Sequence, residues 1–140
     1  MNKHSKAILG GITATIAMTI LMMVAPMMGM PKMEAAAMLG TMMGGSIVLG
    51  WMAHFAIGII FAYAYIYLLN AKLPIHNNYL RGALFGFIVF VFAQVFMAVM
   101  GAMGMAPAMP KDNMMLMIIG SIMGHILYGI VLGAFIKKEK

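Results

Sequence analysis

Cysteine is absent from this chain, and acidic residues are nearly so, since Glu34, Asp112 and Glu139 are the only three. Without thiols the protein has no disulfides, thiolate metal ligands or thiol nucleophiles. Three scattered acids provide no paired carboxylates for general acid–base chemistry. The sequence also lacks the common phosphate-binding, dinucleotide-binding and hydrolase motifs. These absences predict that the protein is not an enzyme.

Charged residues of either sign make up only 9% of the chain, whereas hydrophobic residues make up 64%. A soluble domain usually carries about 25% charged residues, so this polar surface is too small for a water-facing globule. The net charge of +6 raises nucleic-acid binding as an alternative. The basic residues, however, are sparse and form no stripe with interleaved aromatics. The composition predicts an integral membrane protein in contact with the lipid bilayer and no binding to nucleic acid.

Four apolar runs are long enough to cross a bilayer, which takes about 20 residues in a helix. We predict an all-α, integral membrane four-helix bundle that forms a single domain, residues 1–140. The predicted spans are residues 7–28, 42–69, 80–103 and 114–136. In the loop after the first span, Pro31 and Glu34 ahead of three alanines indicate a short additional helix.

The basic residues predict the orientation of the bundle. Seven of the nine lie before the first span, between the second and third, or after the fourth: Lys3, Lys6, Lys72, Arg81, Lys137, Lys138 and Lys140. By the positive-inside rule these segments are cytoplasmic, and so are both termini. The tyrosines of an expected interfacial belt lie near the same end: Tyr63, Tyr65, Tyr67 and Tyr79. We therefore predict a multi-pass protein of the bacterial inner (cytoplasmic) membrane.

The sequence divides into two similar helical hairpins, residues 6–70 and 80–137, which predict a parallel repeat with its pseudo-two-fold axis along the membrane normal. Adding 75 to the numbers of the first span aligns Gly11 with Gly86 and Thr19 with Gln94. The second and fourth spans share the pattern small-xxx-His-xxx-Gly-xxx-small, whose members are Gly50, His54, Gly58, Ala62 and Ser121, His125, Gly129, Gly133. We expect these small-residue faces to bring the second and fourth spans together.

This two-hairpin pattern resembles a family of small bacterial four-helix integral membrane proteins known only as a domain of unknown function. The resemblance covers most of the chain, and it implies a four-helix fold and a membrane location. It implies neither an activity nor any site residues. The candidate functional residues therefore come from the chemistry of this chain alone.

Four polar side chains are predicted to share one depth near the bilayer centre: Thr19, His54, Gln94 and His125. Ionisable residues at such depth indicate function by default. Because imidazole ligates iron and copper, one hypothesis is a haem-b electron carrier with His54 and His125 as axial ligands. The residues expected to leave room for the macrocycle are Gly50, Gly58, Ser121 and Gly129. The structural alternative is that the histidines only hydrogen-bond between helices, as in a subunit or assembly factor of a membrane complex.

Methionine is distributed unevenly, because all but Met1 of the 21 methionines lie in residues 18–52 or 97–123. On the predicted topology this is the outer half of the protein. The leading hypothesis is a non-enzymatic protein that binds a ligand or partner through this methionine-rich half and the histidine pair. Thioether sulfur is a soft ligand that suits Cu(I), which is the most concrete candidate. The sulfur candidates are Met22, Met23, Met27, Met28, Met30, Met33, Met100, Met103, Met105 and Met109. The alternative is adaptable packing against an apolar ligand, a membrane-protein partner or a second copy in a homodimer.

Overall fold

Helices account for nearly all of the computed structural model, which describes residues 1–70, 72–107 and 111–137. Over these residues there is no strand, and the five α-helices are α1 (Lys3–Val24), α2 (Ala35–Met42), α3 (Ile47–Ala64), α4 (Asn78–Ala102) and α5 (Met114–Phe135). A 3-10 turn over Ala25–Met28 extends α1, and a π-helical turn over Tyr65–Asn70 extends α3. The prediction of an all-α chain with four helices long and apolar enough to cross a membrane is confirmed.

The four long helices expose apolar side chains along their length. Ile20 on α1, Ile60 on α3, Phe92 on α4 and Met115 on α5 are all exposed. A surface of this kind suits contact with lipid, because a protein surface in lipid needs no polar residues. The backbone groups of each helix then form their hydrogen bonds within that helix. The apolar helices therefore suggest a multi-pass membrane protein in contact with the bilayer.

Polar capping residues mark where three of these helices begin. Asn2, Ser46 and Asn77 each accept hydrogen bonds through a side-chain oxygen from backbone N–H groups in the first turn of α1, α3 and α4. Such bonds satisfy donors that have no partner inside the helix. The cap at Ser46 starts α3 later than the predicted residue 42, because the preceding Gly44 and Gly45 have φ values of 82° and 87° that end α2.

Helix α2 is the short helix that the sequence indicated in the loop after the first span. Glu34 occupies its N-cap position without a capping hydrogen bond from the side chain. The helix packs closely on α3, since a β-carbon at Gly50 would overlap the carbonyl oxygen of Ala36. Helix α2 thus covers one side of the first turns of α3.

Close contacts between helix backbones hold each hairpin together. Helix α1 packs against α3, helix α4 packs against α5, and the contact of α1 with α5 joins the two hairpins. A β-carbon at Gly11 would lie 2.8 Å from the Cα of Ile59, and one at Gly82 would overlap the carbonyl oxygen of Gly129. Only glycine permits these approaches, which bring neighbouring helices within backbone contact.

The expectation that the small-residue faces join the second and fourth spans is wrong. Gly50 and Gly58 face α2 and α1, whereas Gly129 and Gly133 face α4. Helices α3 and α5 meet through a side chain instead, because the Tyr128 hydroxyl donates a hydrogen bond to the Gly58 carbonyl. The small-residue faces of α3 and α5 therefore form helix contacts within each hairpin.

The contacts also differ in register from the alignment obtained by adding 75. Gly11 lies against Gly58, and Gly82 lies against Gly129, the residue that matches Gly58 in the shared histidine pattern. Gly86, the expected counterpart of Gly11, lies one turn further along α4 and faces His125. By its contacts the counterpart of Gly11 is Gly82. The duplication itself stays a prediction.

The buried core occupies the half of the bundle that carries the basic residues. It contains Ala7, Ala14, Ala62, Tyr65, Ile66, Phe85, Val89, Tyr128, Leu132 and Ile136. Contacts across this end join the start of α1 to the end of α3, where a hydrogen bond of 3.2 Å links His4 Nδ1 and the Tyr63 hydroxyl. The opposite half holds all the methionines but Met1.

Arg81 is the largest fully buried side chain among the described residues. Its Nε donates to the Tyr65 hydroxyl at 3.1 Å, and its two terminal nitrogens donate to the Ile75 carbonyl at 2.9 Å and to Asn78 Oδ1 at 2.7 Å. A buried cation needs such acceptors. Tyr65 is 0% exposed, so its predicted place in an interfacial belt is wrong, whereas Tyr67 and Tyr79 are exposed as a belt would require.

Candidate functional site

A cavity of about 370 Å³ opens between α1, α2 and α3 in the methionine-rich half. Four methionines and one histidine are among its lining residues: Met18, Met22, Met23, Met33 and His54. Met18 and Met22 lie four residues apart on one face of α1, so successive turns bring their side chains together, whereas Met23 is 70% exposed and lines the cavity from the adjacent position. Met33 reaches the cavity from the extended segment before α2, and His54 reaches it from α3.

Only some of the methionines predicted as sulfur ligands line the cavity. Met22, Met23 and Met33 line it, and so does Met18, which the sequence analysis missed. Its position four residues before Met22, on the same helix face, was the signal that could have found it. The other described candidates lie outside the lining: Met27, Met28, Met30, Met100, Met103 and Met105. The remaining candidate, Met109, falls outside the described residues.

Some of these methionines also fill glycine notches on α5. A β-carbon at Gly124 would lie 2.9 Å from Met22 Cε and 3.5 Å from Met22 Sδ. At Gly120 the nearest atoms belong to Met33 and Met30. Methionine is flexible and fills irregular gaps, so packing of α1 against α5 accounts for part of the uneven distribution. It also puts Met22 between the cavity and the turn of α5 that carries His125.

His54 is held by a short chain of hydrogen bonds on α1. Its Nε2 lies 3.1 Å from Thr19 Oγ1, and the Thr19 hydroxyl donates to the Thr15 carbonyl at 2.7 Å. On α3 the ring of Trp51 lies next to the imidazole, with 6.0 Å between ring centroids. His54 is half-buried, and this arrangement fixes its ring at the wall of the cavity.

His125 belongs to a separate network. Its Nδ1 donates to the Ser121 carbonyl at 2.7 Å, and Gln94 Nε2 donates to Ser121 Oγ at 3.3 Å. The ring of Phe90 packs against the imidazole with 6.0 Å between centroids. The four polar side chains predicted to share one layer therefore form two groups, and the described residues show no hydrogen bond between them. Gln94 reaches His125 only through Ser121.

The space that the haem hypothesis required is occupied by protein. A β-carbon at Gly50 would overlap Ala36, and one at Gly58 would overlap Thr15 Oγ1. A β-carbon at Gly129 would overlap the carbonyl oxygen of Gly82. These glycines serve helix contacts, so the room expected beside them for a macrocycle is filled by protein.

The charged groups near the cavity are few. Glu34 contributes to its lining and forms an exposed ion pair of 3.0 Å with Lys32. In the part of the chain that the structure describes, no three His, Asp or Glu side chains converge in the manner of a metal site. The donors that converge at the cavity are therefore mainly soft and uncharged.

Comparison with known proteins adds a family but no activity. The model of DUF6789, a family of unknown function, matches residues 1–139. No curated protein and no solved structure matches the chain. The family match includes every residue of the cavity, whose role has to be argued from its chemistry.

Proposed function

The chain belongs to DUF6789, a family of unknown function, and we propose that it is a non-enzymatic membrane protein that captures Cu(I). The observation that carries this proposal is that four methionines and His54 line one cavity. The ion binds in the cavity, held by sulfur from Met18, Met22 or Met33 and by nitrogen from His54. The protein retains or delivers it without transforming a substrate.

The donor set matches Cu(I) better than harder ions. Thioethers are soft ligands that select Cu(I), while carboxylates and carbonyls suit Mg²⁺, Ca²⁺ and Mn²⁺. All five donors are uncharged when the imidazole is neutral. The cost of taking an ion out of water grows steeply with its charge, so a monovalent ion is easier to accommodate beside apolar helices than a divalent one.

The direction of capture follows from the positions of the basic residues. Lys3, Lys72 and Lys137 lie at the end of the bundle opposite the cavity, and the positive-inside rule makes their end cytoplasmic. The cavity then opens towards the outer face of the bacterial inner membrane. Glu34 at its lining places an acidic group where a cation would enter.

The test is a Cu(I) titration of the detergent-purified protein without oxygen, against a chromophoric Cu(I) chelator. We expect one tightly bound Cu(I) per chain, with sulfur and nitrogen ligands in the X-ray absorption spectrum. A variant with Met22→Leu and Met33→Leu should lose most of the affinity. Leucine nearly conserves volume, so the expected cost in stability is below about 1.5 kcal/mol for each substitution.

The matched control is the double variant Met27→Leu and Met28→Leu. These methionines are 86% and 73% exposed and lie outside the cavity lining. The control should bind Cu(I) as the unmodified protein does. Equal affinity in both double variants, or no stoichiometric copper in the unmodified protein, would refute the proposal. A Soret band in the purified protein would indicate haem instead.

The oligomeric state concerns the protein surface outside the cavity. A membrane-protein partner or a second copy could cover the exposed apolar helix faces, as could lipid alone. Size measurement in detergent with the bound detergent subtracted distinguishes a monomer from a dimer. The copper proposal requires neither, because every donor comes from a single chain.

A further inference from the structure

The hydrogen bonds of His54 determine which of its ring nitrogens carries the proton. The Thr19 hydroxyl has a single hydrogen, which it donates to the Thr15 carbonyl at 2.7 Å. Its oxygen can therefore only accept in the 3.1 Å contact with His54 Nε2. Because a neutral imidazole has one donor and one acceptor nitrogen, Nε2 carries the proton and Nδ1 holds the lone pair.

His125 has the opposite tautomer. Its Nδ1 lies 2.7 Å from the Ser121 carbonyl oxygen, which can only accept a hydrogen bond. Nδ1 therefore carries the proton, and Nε2 holds the lone pair. Among the described residues, Thr15 Oγ1 is the one fully buried side-chain atom without a partner. The lone-pair nitrogens, His54 Nδ1 and His125 Nε2, are not among such fully buried atoms, so both are accessible.

We propose that Thr19 is a positioning residue that holds His54 with Nδ1 as the nitrogen offered to the metal. This inference rests on the proposed function, because it names the ligand atom of the same site. A metal-binding imidazole donates its other N–H to a neighbouring acceptor, which fixes both the tautomer and the orientation of the ring. Thr19 supplies that acceptor, and the Thr15 carbonyl fixes the direction of the Thr19 hydroxyl.

The side chains of the two threonines allow a sharp comparison. Thr19→Val removes the acceptor of His54, whereas Thr19→Ser keeps a hydroxyl at the same position. Thr15→Val is the matched control, because Thr15 acts through its backbone carbonyl and its own hydroxyl has no partner. His125 is an internal reference, since its acceptor is a backbone carbonyl that none of these substitutions removes.

The first measurement is nitrogen NMR of the metal-free protein with ¹⁵N-labelled histidine. Protonated and unprotonated ring nitrogens resonate in separate ranges, and couplings to ring protons distinguish Nδ1 from Nε2. His54→Phe and His125→Phe variants assign the signals of the two residues. We expect the Nε2–H tautomer for His54 and the Nδ1–H tautomer for His125. Thr19→Ser and Thr15→Val should preserve both, and Thr19→Val should convert His54 alone to a mixture.

The second measurement is the Cu(I) affinity of the same variants. Loss of an outer partner of a ligating histidine typically lowers metal affinity by about 10–100-fold, and we expect that loss in Thr19→Val only. An unchanged tautomer or an unchanged affinity in Thr19→Val would overturn the positioning role. If the unmodified protein binds no Cu(I), the proposed function fails together with the ligand assignment. The metal-free NMR measurement would still show separately whether Thr19 holds the tautomer.

Discussion

Gly58 packs so closely on α1 that one methyl group should disturb the first hairpin. A β-carbon at this position would overlap Thr15 Oγ1, while its distances to Thr15 Cβ and the Gly11 carbonyl oxygen would be 3.3 Å and 3.5 Å. The overlap therefore comes from a single side-chain atom. Removing that atom with Thr15→Ala should restore enough room for alanine at residue 58.

The expected magnitudes follow from this geometry. Overpacking costs about 1–3 kcal/mol, and alanine in a helix interior regains about 1 kcal/mol relative to glycine. Gly58→Ala alone should therefore lower the free energy of unfolding by about 0–2 kcal/mol. With Thr15→Ala present, the same substitution should be neutral or stabilising. The coupling between the two substitutions, about 1–3 kcal/mol, is the decisive quantity.

The assay is a double-mutant cycle with unfolding in mixed micelles followed by the fluorescence of Trp51, the only tryptophan. Gly82→Ala is the control, because its β-carbon would overlap the backbone oxygen of Gly129. Thr15→Ala cannot relieve that overlap, so the effects of Gly82→Ala and Thr15→Ala on the free energy of unfolding should be additive. A coupling between Gly58→Ala and Thr15→Ala below about 0.5 kcal/mol, the usual limit of additivity, would refute the packing of α1 on α3 described here.

Three further predictions concern the inner end, the cavity and the orientation. Arg81→Lys should lower the free energy of unfolding by about 1–3 kcal/mol, because an ammonium group cannot reproduce the three forked contacts of the buried guanidinium; stability equal to that of the unmodified protein would contradict the role of its three acceptors. Cu(I) at 100 times its dissociation constant should raise the free energy of unfolding by about 2.7 kcal/mol, and this gain should disappear in the Met22→Leu, Met33→Leu variant. Reporter fusions after Lys72 and at the C-terminus should both report the cytoplasm, and a report from opposite sides would show the predicted topology to be wrong.

Two methionines take part both in helix packing and in the proposed binding site. Met22 and Met33 fill notches at Gly124 and Gly120 while they line the cavity beside α3. An unbranched side chain can pack on glycine and still turn its sulfur towards a ligand. Binding at the cavity would therefore also affect the contact between the two hairpins. For this reason the change in the free energy of unfolding caused by Cu(I) is a useful measurement.

Local chemistry made several features predictable. Long apolar runs have to form helices in lipid, because each backbone group must find its partner within the segment. The short helix after Glu34 and the histidine pattern could likewise be read from neighbouring residues. The restriction of all methionines but Met1 to residues 18–52 and 97–123 pointed to a thioether-rich region, and the sulfur candidates chosen from it included three of the four methionines that line the cavity.

The partners of each helix face were decided only by the tertiary structure. A helix that is apolar all round, such as α3, has no periodic signal to tell which side meets α1, α2 or lipid. Small residues show where a close approach is permitted, but not which helix makes it. The pairing of Thr19 with His54, the separate network of His125 and the burial of Tyr65 against Arg81 all depend on that choice. They follow from contacts between residues far apart in the chain, which local spacing does not encode.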